Sequence, residues 1–158
     1  MLEDPRITAM GLFVEAFSGV HARLNVQLGE HGLGTVDFEV LVRLARSPGG
    51  ELRMTDLAAQ TGLSTSGVTR VVDRLERDGL AARRACPTDR RGSFTVISPA
   101  GLAKMREVLP GHLAVIEEWF TGRLDRSQLE VLLTGLRTIR DAVRPEATSG
   151  VPSMRSAA

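Results

Sequence analysis

The chain has 158 residues, 42% hydrophobic and 25% charged, usage typical of one globular domain and neither a disordered nor a fibrous chain. It holds no run of 18 uncharged apolar residues, which excludes a spanning helix; its start, Met1-Leu-Glu-Asp-Pro, lacks a secretory signal, so a cytoplasmic location is expected. Cys86 alone excludes an internal disulfide framework, 4% aromatics without a tyrosine leave no stacking platforms for single strands, and the net charge of +1 names no partner.

Apolar residues recur at helical spacing from about Pro5 to Gly29 through Ile7, Met10, Phe13, Val14, Phe17, Val20, Leu24 and Leu28. Asp4 suits the cap and Pro5 the first turn. After a glycine-punctuated loop, Thr35 starts a second helix with Phe38, Leu41, Val42 and Leu44 inward, ended by Ser47-Pro-Gly-Gly. Thr55 opens a short helix to Gln60, and Gly62 interrupts it. Ser64 caps the next, whose Val68, Val71, Val72 and Leu75 form a stripe with i, i+3, i+4, i+7 spacing. Ser66, Arg70, Asp73 and Arg77 fall opposite that stripe, flanked by Thr69 and Arg74, and Gly79 is the stop signal.

Two short β-type segments follow, Leu80 to Arg84 and Phe94 to Ile97, separated by turn formers and arginines: a hairpin with a basic tip. Ser98-Pro99 caps a long helix carrying Leu102, Met105, Leu109, Leu113, Ile116 and Phe120, and Pro110-Gly111 is expected to kink or break it. A last helix spans about Ser127 to Val143, and beyond Pro145 the composition predicts a disordered tail.

Charge is unevenly placed along these elements. Residues 1–69 carry a net −3, residues 92–158 a net +1, and residues 70–91 a net +3 from seven arginines and four carboxylates. Such a cluster is ordinarily a solvated surface, but here it lies on the second helix of a helix-turn-helix and on the hairpin after it. The small hydroxyl-rich start at Ser64, Thr65, Ser66 and Gly67 is narrow enough to enter a major groove, with its N–H groups open to a phosphate. Thr69, Arg70 and Arg74 are placed for base edges and backbone, and a bidentate arginine–guanine contact discriminates by about 1–3 kcal/mol. Arg90 and Arg91 at the hairpin tip can reach an adjacent minor groove, with Asp89 holding an arginine in one rotamer.

The run Leu63-Ser-Thr-Ser-Gly-Val-Thr-Arg-Val-Val-Asp-Arg-Leu-Glu-Arg-Asp-Gly-Leu resembles the recognition helix of the multiple antibiotic resistance regulators, the MarR family. Asp89-Arg90-Arg91-Gly-Ser-Phe-Thr-Val-Ile-Ser-Pro-Ala-Gly101 resembles that family's wing signature, with Ser98 keeping the capping hydroxyl where Leu-Thr is commoner. The resemblance covers roughly residues 5–145. It implies a mainly α fold with a small β-hairpin wing, a winged helix-turn-helix with N- and C-terminal dimerisation helices. The expected divisions are 1–34, an N-terminal dimerisation helix; 35–100, the DNA-binding lobe; 101–145, C-terminal dimerisation helices; and 146–158, a disordered tail.

It further implies a homodimeric regulator of double-stranded DNA, usually a repressor, on a pseudo-palindromic operator with half-sites about 34 Å apart. DNA contacts are expected from Thr55, Ser64, Thr65, Ser66, Thr69, Arg70, Arg74, Arg84, Asp89, Arg90 and Arg91. A small-molecule effector is implied between the terminal helices and the DNA-binding lobe, with Met10, Phe13, Phe17, Leu109, His112 and Leu113 as lining candidates, most of which suit a plain core better. The urate-responsive branch carries a tryptophan in its first helix and the peroxide-sensing branch a cysteine there. This chain has neither in that helix, so neither ligand transfers and Cys86 reads as incidental.

His21, His31 and His112 are scattered without metal-ligand spacing, so no metal or cofactor is expected. No nucleophile elbow, phosphate loop or zincin motif is present, so an enzyme is not expected. The competing class is a winged helix used as a protein-interaction module without DNA, because fold alone does not confer DNA binding.

Overall fold

The computed structural model describes residues 3–85 and 93–148. Its order is α1 (Pro5–Glu30), α2 (Thr35–Arg46), a 3-10 turn (Pro48–Gly50), β1 (Glu51–Arg53), α3 (Met54–Thr61), α4 (Thr65–Arg77), β2 (Ala81–Ala85), β3 (Ser93–Ile97), α5 (Pro99–Trp119), a 3-10 turn (Thr121–Arg123), α6 (Arg126–Val143) and a last 3-10 turn (Pro145–Thr148). Mainly helical architecture with a small antiparallel sheet is as expected.

Local chemistry sets the helix ends. The Asp4 carboxylate accepts from the Arg6 amide at 2.9 Å at the head of α1, with Pro5 in the first turn. Ser64 Oγ accepts from the Gly67 amide at 3.1 Å to cap α4. At its other end the Leu80 amide reaches Leu75 O at 2.8 Å and the Gly79 amide reaches Glu76 O at 3.0 Å. This Schellman pairing needs the left-handed Gly79 (φ 72°), so the sheet begins immediately after α4.

The sheet has the order β1-β3-β2, both pairings antiparallel, with Leu52 opposite Thr95 and Ala82 opposite Val96. β1 has no counterpart among the expected elements: three residues are too few to show alternation, and only pairing with β3 makes them a strand. Ser98 joins sheet to helices, its hydroxyl donating to Gly79 O at 2.6 Å and accepting from the Gly101 amide at 2.9 Å. Gly101 is there because a Cβ would lie 2.1 Å from Leu80 O and 2.9 Å from Ile97 Cγ1.

Apart from Leu28, the buried apolar residues all lie between Leu33 and Val108, so the core belongs to the sheet, α2, α3, α4 and the start of α5. In α1 only Gln27 and Leu28 are buried, and in α6 no residue is. The terminal helices instead expose Ile7, Met10, Leu12, Phe13, Val14, Phe17, Val131, Leu132, Ile139 and Val143. α5 runs from Pro99 to Trp119 with Pro110 inside it, so Pro110-Gly111 does not break the helix. The carbonyl that Pro110 leaves without its helical donor belongs to exposed Arg106, within reach of water, while buried Met105, Val108 and His112 hold the helix on either side. Residues 146–148, expected in the tail, belong to the last 3-10 turn, Pro145–Thr148, which packs on α3.

Candidate nucleic-acid interface

The four buried residues of α4, Val68, Val71, Val72 and Leu75, seat one face of the helix and turn the other outward. That outer face carries Ser64, Thr65, Ser66 and Arg70, all exposed, with Thr69 half-buried. Thr69 Oγ1 donates to Thr65 O at 2.8 Å, and Ser64 and Ser66 share a hydroxyl contact at 3.1 Å. Arg70 Nε donates to Ser66 O at 3.3 Å, and its guanidinium has no carboxylate partner among the described residues. Thr55 is exposed on the first turn of α3, which starts one residue earlier than expected, at Met54.

Arg74, expected to contact DNA, is held by an ion pair within the chain. Its Nε lies 3.0 Å from both oxygens of Asp37 and its Nη2 2.5 Å from Oδ1, and the Asp37 carboxylate raises the arginine pKa further. Asp37 is buried on α2, so this bidentate pair fixes the tilt of α4 against its supporting helix. Arg84 likewise is engaged, with Nη2 at 2.6 and 2.7 Å from the Glu51 carboxylate and its guanidinium over the Phe94 ring.

Arg83 was not singled out by sequence, yet it joins sheet to recognition helix. Its amide donates to Glu76 Oε1 at 2.6 Å, its Nη1 pairs with Glu76 Oε2, and its Nη2 lies 2.7 Å from Asp73 and 3.3 Å from Thr69 O. Only the i, i+3 placement of Asp73 and Glu76 on α4 hinted at such a receptor. Cys86, Asp89, Arg90 and Arg91 lie outside the described residues.

Of the effector candidates, His112 lines a cavity of about 800 Å³ bounded by α1, α2, α3, α5, α6 and the first and last 3-10 turns. Met10, Phe13, Phe17, Leu109 and Leu113 are exposed and do not line it. Leu24, Leu28, Phe38 and Val42 give the cavity an apolar floor, and its rim carries Arg46 beside two paired arginines, Arg43 held by Glu39 at 2.8 Å and Arg140 by Asp141 at 2.6 Å. His112 Nδ1 lies 3.2 Å from Gln27 Oε1, and Gln27 Nε2 donates to Val108 O at 3.3 Å. That order assigns the imidazole proton to Nδ1. The ring tilts on Phe38 at 4.2 Å between centroids, and burial lowers the histidine pKa.

Among the described residues there is no cluster of three or more histidine, cysteine or acidic side chains that would hold a metal, and no helix long and apolar enough to cross a membrane.

A helix-turn-helix followed by an antiparallel hairpin and framed by long helices is a winged-helix DNA-binding fold. Residues 31–92 match the family model described as MarR family. The HTH-type transcriptional regulator MhqR of Bacillus subtilis is 32% identical over 103 residues, 65% of this chain and 70% of that protein. AbsC, a MarR family regulator from Streptomyces coelicolor, superposes with a TM-score of 0.86 at 34% identity over 92% of this chain and 98% of its own. Sco3205 from the same organism, solved in complex with DNA, also gives 0.86, at 29% identity over 100% and 96%. The chain belongs to the MarR family of transcriptional regulators, which is not an enzyme family.

Proposed function

We propose that two copies of this chain form a cytoplasmic repressor that sets its α4 helices into successive major grooves of a pseudo-palindromic operator. The observation that carries this is the front of α4: hydroxyl side chains and an arginine without a carboxylate partner among the described residues, on a helix whose tilt other arginines hold. Ser64, Thr65, Ser66 and Thr69 meet phosphate and base edges, Arg70 reads a base, and Thr55 meets the backbone from α3. Arg90 and Arg91, from their place in the sequence, reach the neighbouring minor groove, with Asp89 orienting them. Arg84 and Arg74 serve this surface as supports.

Residues 1–34 and 101–145 supply the dimer, and residues 35–100 the DNA-binding lobe. The exposed apolar side chains of α1 and α6 support that division, since a stripe of this kind in a soluble chain usually marks an interface. The cavity beside His112 suits an effector with an apolar body and an anionic group, its filling favouring a lobe arrangement with lower DNA affinity.

Binding-site selection followed by mobility-shift titration tests the reading. Arg70→Ala is expected to reduce discrimination at one base position by about 1–3 kcal/mol while leaving low-salt, non-specific binding nearly unchanged. An unaltered preference removes Arg70 from the reading head. No shift by the wild type at low salt favours the protein-interaction alternative.

A further inference from the structure

We infer that Arg144 is a specificity-determining positioning residue, which clasps the end of α6 to the elbow of the helix-turn-helix and so sets the half-site spacing the regulator accepts. The inference rests on the dimeric DNA-binding reading above. Within the chain, α6 is an 18-residue rod with no buried residue, joined to the lobe at its far end. There the backbone leaves the helix at Arg144 and turns through Pro145–Thr148 onto α3.

Three sets of contacts meet at that point. Arg144 Nη2 donates to Gln60 O at 3.2 Å and, more weakly, to Ala59 O at 3.4 Å. These are among the last carbonyls of α3, where a cation also meets the negative end of the helix. The same guanidinium lies flat against Gly62, the left-handed residue (φ 68°) between α3 and α4, since a Cβ there would sit 2.7 Å from Nη2 and 2.9 Å from Cζ. From the other side, Arg43 on α2 donates to Ala147 O at 3.1 Å while holding Glu39 at 2.8 Å. Arg144 thus ties the elbow that aims α4 to the end of α6, and Arg43 anchors the turn after it to α2.

The leverage follows from geometry. An 18-residue helix is about 27 Å long, so a small rotation at the elbow moves one recognition helix appreciably relative to its twin. A rigid clasp yields one permitted separation, and a loose one a range. Arginine suits the task because its planar fork spans two carbonyls and stacks on a bare backbone, which a lysine ammonium does not.

Two measurements on the full chain test this, with Arg144→Ala and Arg144→Lys as variants. In a Cys86→Ser background, spin labels at Arg77→Cys and Arg137→Cys, diluted with unlabelled chain, report the distance from α4 to α6 within one molecule without DNA. The distribution is expected to be narrow with Arg144 and about twofold broader with alanine, lysine lying near alanine. Equal widths overturn the clasp.

The second measurement uses operators whose half-sites are moved apart by about two base pairs, a rotation near 70°. The unaltered chain is expected to lose about tenfold in affinity on the shifted operator and Arg144→Ala less than about threefold, with the salt slope preserved. An identical spacing profile in a folded, dimeric Arg144→Ala overturns the specificity role. A wild type that binds no duplex overturns that role together with the DNA reading, whereas unchanged label distances in a variant that still binds DNA overturn the clasp alone.

Discussion

Asp37 and Arg74, 37 positions apart, form a bidentate ion pair in which the carboxylate is nearly buried and the guanidinium less than half exposed. The pair spans the seam between α2 and α4, so it orients the reading helix as well as contributing stability. Removing one partner of a partly buried pair strands the other. Asp37→Ala is expected to lower unfolding free energy by about 2 kcal/mol in urea titration, below the loss for a fully buried pair because water still reaches Arg74. Arg74→Lys, which keeps charge but loses the fork, is expected to lose about half of that.

Ser64 caps α4 through one hydrogen bond to the Gly67 amide. Ser64→Ala is expected to destabilise the lobe by about 1 kcal/mol and Ser64→Asp to hold stability near wild type. Aspartate at the same site places negative charge where a phosphate is proposed to approach, so Ser64→Asp is expected to weaken DNA binding despite its sound cap. Denaturation and mobility-shift measurements on the two variants separate these effects.

Gly101 sits against Leu80 O closely enough that any side chain must displace the start of the sheet. Gly101→Ala is expected to cost about 3 kcal/mol or more, since the obstructing atom is backbone and cannot rotate away. A thermal midpoint within a few degrees of wild type would show that the contact relaxes cheaply.

His112 is buried against Phe38 and Gln27, and burial holds its pKa below the ordinary histidine value of 6.5. The unfolded chain therefore takes up the proton first as pH falls. The associated stability is intact above about pH 6.5 and declines as pH drops toward the folded-state value. His112→Gln, which retains an amide donor for Gln27, is expected to show a smaller fall in urea midpoint between about pH 7.5 and about pH 5.5 than wild type. An equal fall in both proteins would assign the acid sensitivity to other groups.

Most of the architecture was legible from periodicity and caps, because α4 carries an uninterrupted apolar stripe between a serine cap and a glycine stop. What stayed hidden was long-range. No local signal joins Asp37 to Arg74 or Glu51 to Arg84, so neither ion pair is visible in the sequence. β1 exists only by pairing with β3, and the turn at Pro145–Thr148 only by packing on α3. Pro110 misled in the opposite sense: a helix pinned by Met105, Val108 and His112 tolerates one missing donor on its wet side.

The bare greasy flanks of α1 and α6 have a consequence for how the molecule behaves in dilution. Under the pairing proposed above, the fold completes itself by meeting its twin, and its melting temperature is expected to climb with protein concentration. Abundance then governs survival as well as operator occupancy, and a cell that lets the level of such a regulator drift downward loses it faster than simple titration would suggest.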